Sequence, residues 1–377
     1  MKRPWILLGV GFVLVLAILV PGLLRAGQVG VVGSYQVLAP IRHGNLTIFP
    51  VVSSHFRDTS QFLTLDEGLR SGEVVVTEAG SVAPLVRPRH PHPVWQEEHA
   101  DGARVNQLVL VNNSKRPLLL LAGEIVTGGK QDRIIGKDRL VPAESDPIDL
   151  SVFCVEPGRW VGSSANFKVP KLHGGVMGAI VQPSVRSKAM AEKDQQQVWE
   201  EVGKSRTAMA ETVEVGRGNG VDVPLQELSQ TSSYARTIEN FAVQGKIDEV
   251  AAPLEQDYRS VIGQLHDKNA VGVVVAVNGQ IIWADVFASP RLLEKYWPKL
   301  VRSYAAESMA QPARSASVDV KAAQQFLDHL EGRREVVENE PGLYRHAEIT
   351  GDGFKAFELT SLLPGTGFDL HLAKMAE

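Results

Sequence analysis

Charged and polar side chains gather around a Gly-Gly pair between Leu118 and Asp138, directly after a run of four leucines. Such a run predicts a strand that is buried on both faces. The carboxylate of Glu124, close behind it, must therefore find a partner or shift its pKa. Lys130 and Arg133 lie across the glycine turn and could supply that partner. The pattern indicates a polar site at the end of a buried strand.

Two interpretations of this turn remain open from the sequence. In the first, Glu124 is the catalytic acid/base or a ligand-binding carboxylate, and Lys130, Gln131 and Arg133 hold an anionic or polar substrate. An arginine fork suits phosphate or carboxylate groups. In the second, the turn is an ordinary hairpin whose charges face water or form a structural ion pair.

A second polar group follows a strand predicted over residues 148–154. Glu156, Arg159 and Trp160 stand where a Pro-Gly pair ends that strand. An arginine and a tryptophan beside a carboxylate could stack on and fork a nucleotide or sugar. A turn with a surface salt bridge is the alternative. Cys154 continues the apolar face of the strand, and no histidine is near it in sequence, so packing is its expected role.

Other titratable residues carry weaker signals. His90 and His92 match no metal-ligand spacing and the chain has a single cysteine, so no metal site is predicted. His173 precedes a Gly-Gly turn, where a catalytic role has no support. Asp285 shares a strand face with Trp283, and its expected role is to cap the next helix. The sequence contains no phosphate-loop, Gly-x-Ser-x-Gly or His-Glu-x-x-His motif.

The elements that must position these residues predict an α+β fold, with a β-rich core of short strands and hairpins. No convincing helix is expected before about residue 185. A central helical insertion should cover about 185–265, interrupted at Pro253, and a hairpin should turn at Asn278-Gly279. A helix to about Ala306, kinked at Pro298, is expected next. A C-terminal helix-strand segment completes the prediction.

Composition places the chain among ordinary globular proteins. Its 377 residues, 44% of them apolar and 22% charged, allow about two domains or one elaborate domain. We expect one main α+β domain over residues 28–310, with residues 311–377 either part of it or separate. The net charge of −4 and the lack of a basic block disfavour a nucleic-acid partner.

The N-terminus has the layout of an export signal. Lys2 and Arg3 precede an apolar run that ends before a Pro-Gly pair. Residues 1–27 are therefore expected to be a cleaved signal peptide or a membrane anchor, in which residues 5–24 would span the bilayer. Both alternatives place the rest of the chain beyond the cytoplasmic membrane, in the periplasm or outside the cell. A membrane is expected as a partner only through this segment.

Three blocks of the chain resemble a known family: "LLLLAGEIVTGGKQDRIIGKDRLVPAESD", "SVFCVEPGRW" and "VVVAVNGQIIWADVFASPRLLEKYWPKLVRSYAAES". They occur in the family's order, and the resemblance spans roughly residues 105 to 310. They look like the bacterial and archaeal domain of unknown function named for its gene association with ADP-ribosylglycohydrolases and rhodanese-phosphatases. The three blocks together are fairly specific, whereas any one of them alone would be weak.

The resemblance implies a link to NAD and ADP-ribose metabolism through gene neighbourhoods, and it assigns neither an activity nor a cofactor. The family's polar positions fall here on two groups: Glu124, Lys130, Gln131 and Arg133, then Cys154, Glu156, Arg159 and Trp160. We therefore expect a binding module or enzyme for a small anionic ligand of nucleotide or ADP-ribose type, with Arg133 and Arg159 as anion clamps. The alternative is a non-enzymatic envelope or extracellular protein. Convergence of these residues in one concavity would favour the first.

Overall fold

β-Branched residues on both sides of Asn278-Gly279 form the central hairpin of the fold. In the computed structural model, which describes residues 35–79, 106–215, 228, 230–265, 269–314 and 316–377, strands Asn269–Val277 and Gln280–Phe287 pair antiparallel. Asn278 and Gly279 have φ angles of 52° and 74°. Both lie in the left-handed region that a two-residue type I′ turn requires. The predicted hairpin is confirmed.

The described residues form seventeen strands and seven α-helices. The strands are β1 Tyr35–Val37, β2 Ile41–His43, β3 Leu46–Ser53, β4 Leu63–Thr64, β5 Val74–Glu78, β6 Gln107–Asn112, β7 Leu118–Leu120, β8 Ile125–Val126, β9 Arg133–Ile135, β10 Arg139–Val141, β11 Ile148–Cys154, β12 Asn269–Val277, β13 Gln280–Phe287, β14 Gly332–Glu340, β15 Tyr344–Gly351, β16 Phe354–Ser361 and β17 Asp369–Ala376. The helices are α1 Leu65–Ser71, α2 Pro183–Ser187, α3 Gln195–Val215, α4 Tyr234–Glu239, α5 Phe241–Gly263, α6 Pro290–Met309 and α7 Val320–Asp328.

Three sheets carry the fold. The nine-stranded main sheet has the order β1-β3-β12-β13-β17-β16-β15-β14, with β2 also paired to β3. A five-stranded sheet has the order β5-β6-β11-β9-β8, and a three-stranded sheet has the order β10-β7-β4. Because β3 and β12 are neighbours, chain segments before and after the central helices build one sheet. The β-rich α+β class with a central helical insertion is confirmed.

The strand β7 is buried on both faces, as its leucines predict. Leu118 and Leu120 belong to a core that also contains side chains of the five-stranded sheet. Leu119 and Leu121 belong to a second core with α6 and the main sheet. The alternation of side chains along a strand sends successive leucines to opposite faces. The residues that follow β7 therefore start from a fixed position between two cores.

A third core lies on the other face of the main sheet. Along β12, Val273 and Val275 belong to the core that contains α6, while Val274 and Ala276 pack with side chains of α7. The central strands of the main sheet are thus covered on both faces. None of the helices in the described ranges is long and apolar enough to cross a bilayer.

The helix α1 contradicts the expectation of no helix before about residue 185. At its start Thr64 and Glu67 have the residue types of a capping box, and the N–H of Thr64 donates to the Glu67 carboxylate at 3.0 Å; Gly72 ends the helix in the left-handed conformation with φ 74°. A capping box satisfies the free N–H groups of the first turn, and glycine adopts positive φ without strain. The sequence pattern Thr-x-x-Glu, followed by a glycine, indicates the start and end of such a short helix.

The breaks in the central helices also differ from prediction. The chain turns at Lys193, with φ 54°, between a π-helical turn and α3. Pro253 lies inside α5, and the break falls at Asn240, whose side chain caps α5. The apolar side chains of α5 in the core keep that helix continuous despite the hydrogen bond that a proline removes. Helix α6 likewise continues through Pro298. The strand β14 was not predicted.

Candidate functional site

Glu124 lies between β7 and β8, directly before Ile125, and is only 2% exposed. One of its oxygens accepts a hydrogen bond from the backbone N–H of Leu121 at 2.9 Å. The other lies 3.0 Å from the Nζ of Lys299 on α6, which also donates to Asp66 on α1 at 2.6 Å. The first polar cluster is therefore Glu124, Lys299 and Asp66, and it ties β7 to two helices.

Burial and pairing act in opposite directions in this first cluster. Burial raises the pKa of the Glu124 carboxyl, and the Lys299 ammonium only partly offsets the shift. Burial alone would lower the pKa of Lys299, but Glu124 and Asp66 raise it above its ordinary value. Lys299 is thus held as a cation, and Glu124 takes up a proton more readily than an exposed glutamate.

A cleft opens beside the first cluster. Its lining includes Lys299, Arg302, Asp248 and Ser303 together with apolar side chains from α4, α5 and the segment before α2. Arg302 and His173 both contact Asp248, at 3.1 Å and 3.2 Å. The charged groups of this cleft are therefore already paired with one another.

The second polar cluster forms around the glycine turn. Gly128 and Gly129 have φ angles of 132° and 51°, and a Cβ on Gly129 would lie 2.4 Å from both Glu78 and Phe167. Glu78 accepts a hydrogen bond from the N–H of Lys130 at 2.7 Å. Only glycine fits where the backbone passes this close to its neighbours with positive φ. The buried Glu78 carboxylate thus fixes the conformation of the turn that carries Lys130.

Arg159 links this turn to the end of β11. Its guanidinium lies 2.6 Å from the Glu156 carboxylate and 3.5 Å from Asp132, and it donates to the Gly129 carbonyl at 3.0 Å. Glu156 also accepts a hydrogen bond from the N–H of Asp132, and its carbonyl accepts one from Gln131. Burial raises the pKa of Asp132, although a hydrogen bond from Ser233 opposes the shift. Arg159 therefore holds the glycine turn against the end of β11.

Trp160 gives the second cluster an open aromatic surface. Its side chain is 42% exposed. The Nζ of Lys130 lies 5.1 Å from the centre of its ring, and the guanidinium carbon of Arg133 lies 6.0 Å from it. Both distances are in the range of cation–π attraction. Arg133 itself is fully buried, so Lys130 and Trp160, with the part-exposed Arg159, are the charged and aromatic members that reach solvent.

A third polar cluster is sealed inside the protein. Arg186 on α2 forms two hydrogen bonds with Asp285 on β13, at 2.9 Å and 3.2 Å. His371 on β17 bridges Asp285 and Asp138, with its ring nitrogens 3.0 Å and 2.5 Å from the two carboxylates. Tyr304 donates to Asp285 as well. These side chains are fully buried, so the cluster cannot contact a substrate in this conformation.

The charges of the third cluster balance. Burial alone would lower the pKa of His371, but Asp138 and Asp285 raise it to about 9. Burial would raise the pKa of Asp285, but Arg186 and His371 lower it below its ordinary value. Two carboxylates therefore face one imidazolium and one guanidinium, which satisfies the requirement that buried charges be paired.

Comparison with known protein families decides what the chain is. A family model described as ARPP-1, the ARG and Rhodanese-Phosphatase-superfamily-associated Protein domain, matches residues 34–373. The chain belongs to this family. The match includes all three polar clusters and extends beyond both ends of the range that the sequence blocks covered. No curated protein and no solved structure matched the chain.

The ARPP-1 domain brings together most, but not all, of the residues that the sequence singled out. Lys130, Gln131, Arg133, Glu156, Arg159 and Trp160 all lie in the second cluster. Glu124 lies in the first, and its cation is Lys299 rather than Lys130 or Arg133. The expected pairing across the glycine turn is therefore wrong. The register of β8 with β9 explains this difference, because Ile135 stands opposite Glu124 in the backbone pairing. A catalytic role for Glu124 stays a prediction.

Three further sequence expectations can be compared with the structure. Cys154 is buried, and burial raises the pKa of its thiol, which agrees with a packing role. Asp285 does not cap the next helix, because Ser289 accepts the capping hydrogen bond from Leu292. His90 and His92 lie outside the described residues, as do residues 1–27.

Sequence reasoning missed Lys299, Arg186, His371 and Asp138 as members of these clusters. One signal was available for Lys299: it lies three residues after Tyr296 and one before Leu300, within the apolar face of α6. A charged residue inside an apolar helical face indicates a buried partner. The other three come from distant segments, and no local pattern links them.

We expect Lys299→Met to lower the free energy of unfolding by about 3–5 kcal/mol, because Asp66 and Glu124 would lose their buried cation. Glu124→Gln should cost less, about 1 kcal/mol, because Lys299 keeps Asp66 as its anion and an amide can still accept a hydrogen bond. Urea unfolding followed by circular dichroism measures both. Lys295→Met, on the same helix but more exposed and paired with Glu67, is the matched control, with an expected loss of less than about 1 kcal/mol. Equal losses for all three would contradict this account.

The third cluster predicts a loss of stability in alkali. The pKa of His371 is about 9 in the folded protein against 6.5 ordinarily. Its contribution is therefore complete below pH 6.5, and it is lost as the pH rises through about 9. The shift corresponds to about 3 kcal/mol. In urea unfolding from neutral pH to above pH 9, the stability difference between the wild type and His371→Gln should shrink by about this amount.

Comparing the two proteins removes the contribution of other groups. Burial lowers the pKa of Lys374 to about 8, so this side chain titrates over the same range in both. The difference between wild type and variant isolates His371. A difference that does not change with pH would mean that His371 is neutral in the folded state.

Proposed function

We propose that this ARPP-1 domain binds a small anionic ligand of the nucleotide or ADP-ribose type at the second polar cluster. Trp160 would stack on a planar base or sugar face, and Lys130 would contact a phosphate. The family's association with ARG and rhodanese-phosphatase proteins supports a ligand of this class. The single observation that carries the proposal is the exposed indole of Trp160 with the Lys130 ammonium over its ring.

The surroundings of Trp160 support binding because the site is already ordered. Arg159, Glu156 and Asp132 hold one side of the turn, and Glu78 holds the other. A ligand would meet side chains whose supports are fixed, which lowers the entropy cost of binding. Among the described residues, Lys130 forms no ion pair, so its charge is available for a phosphate.

The arginines take a different role from the one that the sequence predicted. Arg159 is bound to Glu156 and to backbone carbonyls, and Arg133 is buried beneath Trp160. We assign both to positioning the turn, with Lys130 as the group that contacts the anion. Glu124 lies in a separate cluster, so the proposal is of binding, and it includes no catalytic step.

Calorimetric titration of the purified protein with ADP-ribose, AMP and inorganic pyrophosphate tests the proposal. Trp160→Ala should weaken binding of ADP-ribose and AMP by roughly 1–3 kcal/mol, the contribution of one stacked base. It should leave pyrophosphate binding unchanged. Lys130→Ala should weaken all three, because each carries phosphate. A ligand at about a hundred times its Kd should also stabilise the fold by roughly 2.7 kcal/mol in a thermal-shift assay.

Matched control variants are available elsewhere on the surface. Phe56→Ala removes another exposed aromatic side chain, and Lys204→Ala removes an exposed lysine on α3. Both should leave binding unchanged. If none of the three ligands binds to the wild type, the proposed ligand class is wrong. The non-enzymatic envelope or extracellular protein then becomes the preferred alternative, because the charges of the second cluster also pair with one another.

We also propose that the domain acts outside the cytoplasmic membrane, as the N-terminal sequence predicts. Residues 1–34 fused to alkaline phosphatase should give activity in intact bacteria, since that enzyme requires export to form its disulfides. Replacing Lys2 and Arg3 should lower the phosphatase activity only in part. Placing two charges in the apolar run should abolish it. Activity that is absent from the unaltered fusion would contradict export.

A further inference from the structure

The strand β14 ends the main sheet with an unusually open edge. It pairs with β15 on one side, and within the described ranges no strand pairs with its other side. It is nine residues long. A long edge strand exposes a row of free N–H and C=O groups that can pair with another strand, and proteins commonly shorten or cover such edges. No strand of the described ranges covers this edge, although a β-bulge between Val336 and Glu338 shifts its register with β15.

The side chains of β14 are exposed on both of its faces. Val336 is 50% exposed and Val337 is 41% exposed. Arg333 and Glu335 are more open still, and among the described residues their ion pair is with each other. β-Branched residues are favoured in paired strands, where neighbours cover them. The centre of β14 thus offers apolar side chains beside a free backbone edge.

The charges along β14 select the partner. Its first half carries Arg333 and Arg334 with one carboxylate, Glu335, and its second half carries Glu338 and Glu340. Antiparallel pairing with an identical strand places the basic half of each copy opposite the acidic half of the other. Parallel pairing in register would place like charges opposite each other, which is unfavourable. The pattern therefore fits a second copy of this chain related by a two-fold axis.

The acidic half of β14 is held in position by the rest of the domain. Lys137 contacts Glu338, and Arg139 contacts Glu340 at 3.0 Å. Tyr344 on β15 donates to Glu338 at 2.6 Å. Because these contacts fix one end of the strand, little order has to be gained when a partner pairs with it.

We propose that two copies of the chain pair antiparallel along β14, so that the two main sheets join into one continuous sheet. Glu338 and Glu340 keep their contacts with Lys137 and Arg139 and also face the arginines of the other copy, on both sides of a centre formed by Val336 and Val337. Strand pairing makes a small interface, so the dimer is in equilibrium with the monomer. Its exposed charge pairs weaken as salt is added.

Sedimentation velocity of the purified wild type tests the pairing. The mean mass should rise with protein concentration toward twice that of one chain, and the rise should shift to higher concentration in high salt. A wild type that stays monomeric over the whole range would overturn the proposal.

Two charge-reversed variants test the strand and its orientation. R333E/R334E makes both halves acidic, and E338K/E340K makes the second half basic like the first. Each alone should be monomeric, and an equimolar mixture should recover the dimer mass as a heterodimer. Recovery would also show that both variants are folded, although Arg334 and Glu338 have partners within the domain.

The control reverses charges elsewhere. K204E/R259E changes two exposed residues on α3 and α5 and should dimerise as the wild type does. Dimers that persist in both β14 variants, or a mixture that fails to recover the dimer, would overturn the proposed pairing and place the contact on another surface.

Discussion

Asp285 carries a negative charge in the middle of a sheet, where water cannot reach it, and the rest of the fold is arranged to neutralise it. Arg186, His371 and Tyr304 contact its carboxylate from α2, β17 and α6. A buried charge that lost these partners would destabilise the fold by several kcal/mol. One side chain of the central hairpin thus connects α2 of the helical insertion, the C-terminal strand β17 and the helix α6.

The same network fixes the strand end that carries Glu124. Asp138 binds His371 through its carboxylate and accepts a hydrogen bond from the N–H of Ala122. Arg186 donates to the carbonyl of Ala122, and a Cβ on Gly123 would lie 2.6 Å from the Arg186 side chain. The glycine is needed here because the arginine passes so close to the backbone. Glu124 is therefore placed by contacts that begin at Asp285, and it then meets Lys299 from the opposite side.

Residues 133–139 connect three regions: the surface around Trp160, the third polar cluster and the acidic half of β14. Arg133 lies under Trp160, Asp138 belongs to the buried network, and Lys137 and Arg139 hold the acidic half of β14. Successive residues of the segment point in different directions, so a few positions serve an open aromatic surface, a sealed core and a sheet edge. The glycine turn of the proposed ligand site and the residues that contact β14 are thus separated by few positions in the chain. Proximity alone does not couple the two sites.

The sequence by itself determined the local features. Four consecutive leucines identified a strand buried on both faces, Asn278-Gly279 identified the central hairpin, and the polar residues around Gly128-Gly129 and Arg159 identified a group that does meet in space. These depend on short-range periodicity and turn geometry, which a sequence displays directly. Membership of the family follows from the sequence as well.

The tertiary structure alone decided which charges meet. Glu124 pairs with a lysine 175 positions away, and His371 joins an aspartate 233 positions away. It also decided that Asp285 is the centre of a network rather than a helix cap, and that β14 ends the main sheet. Pairings of this kind depend on which strands become neighbours and in what register. Many distant partners satisfy the same local pattern, and only the packing of the whole sheet selects among them.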